Sequence, residues 1–111
     1  MSTLVKKQTA ELVGAQLGWA VAIADGKQPT WFEHNYPIHT VRINNKPFCP
    51  WCDWQHGGPI IERRWLDIVQ ALHERYGFGW VAVVAQEENK LVLFMRAFVE
   101  SELGGTVEVP E

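Results

Sequence analysis

The chain has 111 residues, with 13 acidic side chains against 10 basic and a formal net charge of −3. That length suits one domain with one core and is too short for two. At 47% hydrophobic and 21% charged residues it is no disordered chain, and its acidic balance argues against nucleic acid, whose phosphates need a clustered positive face. Two cysteines, Cys49 and Cys52, are too few for an extracellular disulfide framework. Residues 1–7 lack the apolar run of a secretory signal. The longest uncharged run, 12–24, is interrupted by Gly14, Gln16 and Gly18 and is too short for a bilayer. The expectation is a soluble, cytoplasmic protein with no membrane partner.

Along the chain, Leu12, Ala15, Trp19, Ala22 and Ile23 recur at helical spacing and predict a helix over 13–24, closed by Gly26. Gly18 lowers its propensity and allows another element to come close. Residues 27–59 follow different rules. Pro29, Pro37, Pro47, Pro50 and Pro59 exclude a long helix or a long central strand, so the segment is expected to be largely irregular. Short strands are expected at 30–33 and 39–44, with a turn at Asn44-Asn45. The segment also concentrates Trp31, Phe32, Tyr36, Phe48, Trp51 and Trp54, with His34, His39 and His56.

Gly57-Gly58-Pro59 reads as a turn into a second helix that ends at Tyr76, with Pro59 in its first turn. Residues 80–85 (WVAVVA) are rich in β-branched side chains and predict a strand. Leu91, Phe94, Met95, Phe98, Val99 and Leu103 predict a third helix, stopped by Gly104-Gly105, and 106–109 a final short strand. Trp19, Trp65, Trp80, Phe94 and Phe98 are the expected core. Charge is uneven. Residues 1–56 hold five basic and four acidic groups, whereas 57–111 hold five and nine, giving +1 and −4. Glu100, Glu102, Glu108 and Glu111 form either a solvated face and tail or a patch for a basic partner.

The motif that invites chemistry is Cys49-Pro50-Trp51-Cys52. Its cysteines are read first as two small half-buried thiols in an aromatic cluster. A zinc site through Cys49, Cys52 and His56, with His39 or His34 as fourth ligand, is an alternative, as is a redox dithiol. Zinc lacks a second tight ligand pair, and the redox reading lacks a strand–motif–helix setting. Neither a nucleophile elbow nor a phosphate-binding loop occurs, so no catalytic residue is assigned. Gly57-Gly58 before a helix is able to present N–H groups to an anion, and Glu62 and Arg63 to contact a polar ligand. The plainer reading is a sharp turn capped by Asp53.

The stretch Asp53-Trp54-Gln55-His56-Gly57-Gly58-Pro59-Ile60-Ile61-Glu62-Arg63 resembles the D-W-x-x-G-G-P-I-I-E-R signature of the NinX-like family of small phage and prophage proteins. Residues 11–22 look like its opening helix. Residues 95–99, Leu103-Gly104 and Val107-Glu108-Val109-Pro110 look like its ending. The chain departs from the pattern at Gly18, where an aspartate is usual, and at Trp51-Cys52, where serine and threonine are usual. It also carries a longer helical stretch at 65–76. The resemblance brings no established activity with it. It implies a phage or prophage accessory protein in a bacterial cytoplasm.

The reading is an α+β single domain, with about three helices packed on a small, mainly antiparallel sheet. Asp53, Trp54, Gly57, Gly58, Glu62 and Arg63 are the expected binding surface. The expected function is non-enzymatic binding of a host or phage macromolecule, with inhibition of a host enzyme or defence complex as one outcome. Two alternatives stand beside it: a small-molecule-binding domain or small enzyme built on residues 53–63, and a zinc-stabilised module. Otherwise no cofactor is expected, and a homo-oligomer is left open.

Overall fold

The computed structural model describes residues 4–33 and 39–111. Helix α1 (Gly14–Ala24) forms where apolar spacing predicts it, burying Leu17, Gly18, Ala20, Val21 and Ala22. Its C-terminus closes by two reciprocal bonds. Gly26 N–H donates to Ile23 O at 3.1 Å, and Lys27 N–H to Ala22 O at 2.9 Å. Gly26 sits at φ +75°, which glycine adopts without a Cβ penalty. This closure fixes how Asp25 and Lys27 leave the helix.

The proline-rich segment is more regular than its composition suggests. Strands β2 (Thr30–Glu33), β3 (His39–Ile43) and β4 (Lys46–Pro47) form an antiparallel sheet in that order. Asn44 and Asn45, at φ +53° and +65°, make the left-handed pair of a tight hairpin turn. Strand β1 (Leu4–Gln8), which the sequence did not announce, pairs antiparallel with β5 (Thr106–Pro110), setting Lys6 opposite Glu108. Thr9 N–H and Oγ1 donate to the carbonyls of Gly105 and Gly104, at 2.9 and 2.7 Å, and fasten the strand's end. The expected single sheet is therefore two, and the α+β class stands.

Four more helices follow: α2 (Trp54–Arg63), α3 (Trp65–Tyr76), α4 (Trp80–Gln86) and α5 (Lys90–Leu103). The expected second helix starts about a turn earlier than predicted and breaks at Arg64, so Pro59 lies inside α2 rather than in its first turn. Asp53 explains the early start: its side chain accepts the Gln55 N–H at 2.8 Å, and its carbonyl accepts the His56 and Gly57 N–H groups. The strand predicted at 80–85 is helix α4. Preference for strand conformation is weak without a neighbouring strand to pair with, and here the segment packs on α3 instead.

Helix α5 is the central element, touching α1, α2, α3 and β5. Leu12, Leu17, Val21, Ile60, Ile68, Leu72, Met95, Phe98, Val99 and Val109 are each no more than 1% exposed. The expected aromatic core is only partly right. Phe94 and Phe98 are buried, but Trp19 and Trp80 are half-buried and Trp65 is 43% exposed. Aliphatic side chains fill the centre, while indoles cover its edge: Trp19 meets Trp31 edge-on at 6.2 Å, and Trp65 meets Phe94 at 5.9 Å. Much of the acidic excess is locally matched. Arg75 pairs with Glu100 at 3.1 Å and Arg64 with Glu102 at 3.8 Å. No helix among the described residues is long and apolar enough to cross a membrane.

Candidate functional site

The six expected binding residues lie on or beside α2, and helical geometry divides the five within it into three sets. Positions four apart share a face. Trp54, Gly58 and Glu62 make one open stripe, Gln55, Pro59 and Arg63 the next, and Gly57 with Ile60 points inward. Asp53 is the helix cap. Gly57 is structural: a Cβ there would meet Leu91 Cδ1 and the Pro50 carbonyl oxygen at 2.6 Å each. Gly58 has open space around its Cα, Glu62 is exposed, and the Trp54 indole is 57% exposed. The six therefore do not converge on one point.

Arg63 faces a second set of residues that the sequence did not bring together. Its Nη2 donates to Asp25 Oδ2 at 3.3 Å, and its Nε to the Pro59 carbonyl at 3.3 Å. Lys27 Nζ reaches the same Asp25 oxygen at 3.0 Å. The Asp25 side chain is only 2% exposed, whereas that of Arg63 is 55% exposed. A buried carboxylate thus holds two cations from behind and leaves their outer donors in solvent.

These cations border a cleft of about 260 Å³ lined by Lys27, Lys46, Phe48, His56, Pro59 and Arg63, among others. Among the described residues its lining includes three cations and no carboxylate. The Phe48 ring lies against His56 on one side, centroids 5.6 Å apart and 28° between planes, and Lys27 Nζ lies 5.5 Å from its centroid. The Cys49 N–H donates to His56 Nδ1 at 2.9 Å, which assigns the proton of a neutral ring to Nε2. Sequence reading found Arg63 and His56 but missed Asp25, Lys27, Lys46 and Phe48. Only Asp25-Gly26-Lys27, as a helix-ending triplet, carried a local signal. Its meeting with α2 is a tertiary fact.

Cys49 and Cys52 are joined by a disulfide, with Cα atoms 5.5 Å apart. In that form the pair offers no thiolate to a metal, and His56 Nδ1 already accepts a hydrogen bond. The side chain of His39, and all of His34, lie outside the described residues. Trp51, between the cysteines, packs on α1 at Gly18, where a Cβ would overlap its six-membered ring. Two departures from the resembling pattern, Gly18 and Trp51, are therefore in contact and sterically linked.

A family model described as Bacteriophage P22, NinX matches residues 8–102. The chain belongs to the NinX family. The match takes in α1, the three-stranded sheet, α2 and nearly all of α5, and so contains the whole cleft. As a NinX-family chain it is a phage accessory protein. No curated protein and no solved structure matches the chain.

Proposed function

We propose that this NinX-family protein is a non-enzymatic binder of a host or phage protein, and that the outer face of α2 is the surface the partner reads. Inhibition of a host enzyme or defence complex is the form this binding takes in the proposal. The observation that carries it is Trp54, whose indole is 57% exposed on a helix anchored at Gly57 and Ile60 and carrying Arg63 on its adjacent stripe. Tryptophan and arginine supply a disproportionate share of binding energy at protein interfaces, and a rigid helix presents them without loop ordering. The test is affinity capture from host lysate, comparing the native chain with a Trp54→Ala, Arg63→Ala double variant. A partner enriched on the native chain and lost from the variant supports the reading. Equal recovery on both, or no enrichment, overturns it.

A second reading, that copies of the chain associate, has its own observation. Leu66, Phe78 and Val81 are 81%, 95% and 58% exposed, and α4 is a charge-free helix (WVAVVAQ) with no buried residue. A charge-free apolar face meets its own copy without like-charge repulsion. Sedimentation velocity across a concentration series tests it: the native chain would dimerise and a Phe78→Ser, Val81→Lys variant would stay monomeric, whereas a native chain that stays monomeric refutes it.

A further inference from the structure

We infer that the cleft between α2 and the β3–β4 hairpin is a docking site for an acidic peptide segment, an extended stretch carrying Asp or Glu carboxylates. This rests on the reading that the partner is a protein, and names what part of that partner the chain takes.

Charge is the first argument. A chain of net −3 sets Lys27, Lys46 and Arg63 around one cleft, with no carboxylate among the described residues of its lining. The carboxylate of Asp25 is buried behind the cations and orients Lys27 and Arg63 through a single oxygen. Two of the five guanidinium N–H donors of Arg63 are occupied, by Asp25 and the Pro59 carbonyl, so the others remain for a ligand. Lys27 likewise keeps two of its three donors beyond Asp25, and Lys46 is exposed. A guanidinium already fixed by a carboxylate behind it loses less freedom when it takes a second carboxylate in front.

Size and surface chemistry select the ligand class. At about 260 Å³ the cleft lies at the lower edge of the ~300–1,000 Å³ typical of small-molecule pockets, a size that admits side chains entering from a longer segment. Single-stranded nucleic acid would need aromatic platforms for its bases. Here Phe48 is only 8% exposed, and its ring is already flanked by His56 and Lys27. Carboxylates need no such platform. They need fixed donors, which this wall provides.

The experiment is fluorescence anisotropy of a labelled hexaglutamate peptide titrated with the full chain. The unlabelled peptide and an unlabelled single-stranded oligonucleotide serve as competitors. The proposal expects saturable binding that weakens as salt rises, because partly exposed charges are screened. It expects about tenfold or greater weakening in Arg63→Ala and in Lys46→Ala, the latter on an exposed hairpin strand where folding is not at stake. Lys6→Ala, a cation on β1 away from the cleft, should change affinity less than about twofold. Absence of peptide binding overturns the proposal. So does equal weakening in Lys6→Ala, which would mean diffuse attraction, or displacement by oligonucleotide at lower concentration than by peptide. A captured partner whose recovery depends on Trp54→Ala but not on Lys46→Ala refutes this proposal alone. Peptide binding without any captured partner refutes the functional reading alone.

Discussion

The two faces proposed as binding surfaces are built on opposite principles. The outer face of α2 is mostly polar, and the helix is held from beneath: Asp53 caps it, Gly57 lets it sit against Leu91 and Pro50, Ile60 is buried, and Asp25 fixes Arg63. The α4 face is apolar, yet Phe78 and Val81 stand in solvent, and Trp80, Val83 and Val84 are only partly buried against the core. Composition alone would invert their depths, sending WVAVVA inside and leaving the Gly-Gly-Pro segment as a surface turn. Depth is decided by which backbone can approach which neighbour. At Gly57 a missing Cβ settles it.

The comparison can be broken by substitutions on either face. The largest effect is expected at Ile60, 1% exposed on the inner side of α2. Ile60→Ala removes buried methyl groups and should cost about 2–5 kcal/mol by denaturant unfolding. Gly57→Ala should cost about 1–3 kcal/mol, since Leu91 can yield but the Pro50 backbone oxygen cannot easily do so. Its neighbour gives the opposite sign: Gly58→Ala meets nothing within 4 Å and should stabilise by about 0.5–1 kcal/mol through helix propensity. A Gly58→Ala as costly as Gly57→Ala would show that the helix is not anchored as described. The smallest effect belongs to the apolar face. Val81→Lys should shift stability by no more than about 0.5 kcal/mol, and a larger loss would mean that α4 is better packed than its exposure indicates.

Much of the fold was legible where local chemistry determines it. The α1 stripe with its closing Gly26, the Asn44-Asn45 turn, the α5 stripe and the Asp53 cap all follow from rules that act over a few residues. What failed needed long-range knowledge. Strand β1 exists because β5 offers it an edge, and residues 80–86 are helical where strand preference had no partner. Helical spacing pointed Trp19 and Trp65, and a predicted strand Trp80, toward the core, but a periodic pattern gives direction rather than depth, and these three indoles lie at the edge. The site divided in the same way. Arg63 stood out within its motif, whereas its counterpart Asp25 lies 38 residues earlier, and no pattern in the chain joins them.

The central claim is that a partner reads the polar α2 face and not the apolar α4 face. Site-specific photo-crosslinking tests it most directly, with a photoreactive residue placed at position 62, on the Trp54 stripe, in one sample and at position 81 in another, both exposed to host lysate. A discrete crosslinked partner from position 62, absent from position 81, is the predicted result. A crosslinked partner from position 81 with none from position 62 would contradict it.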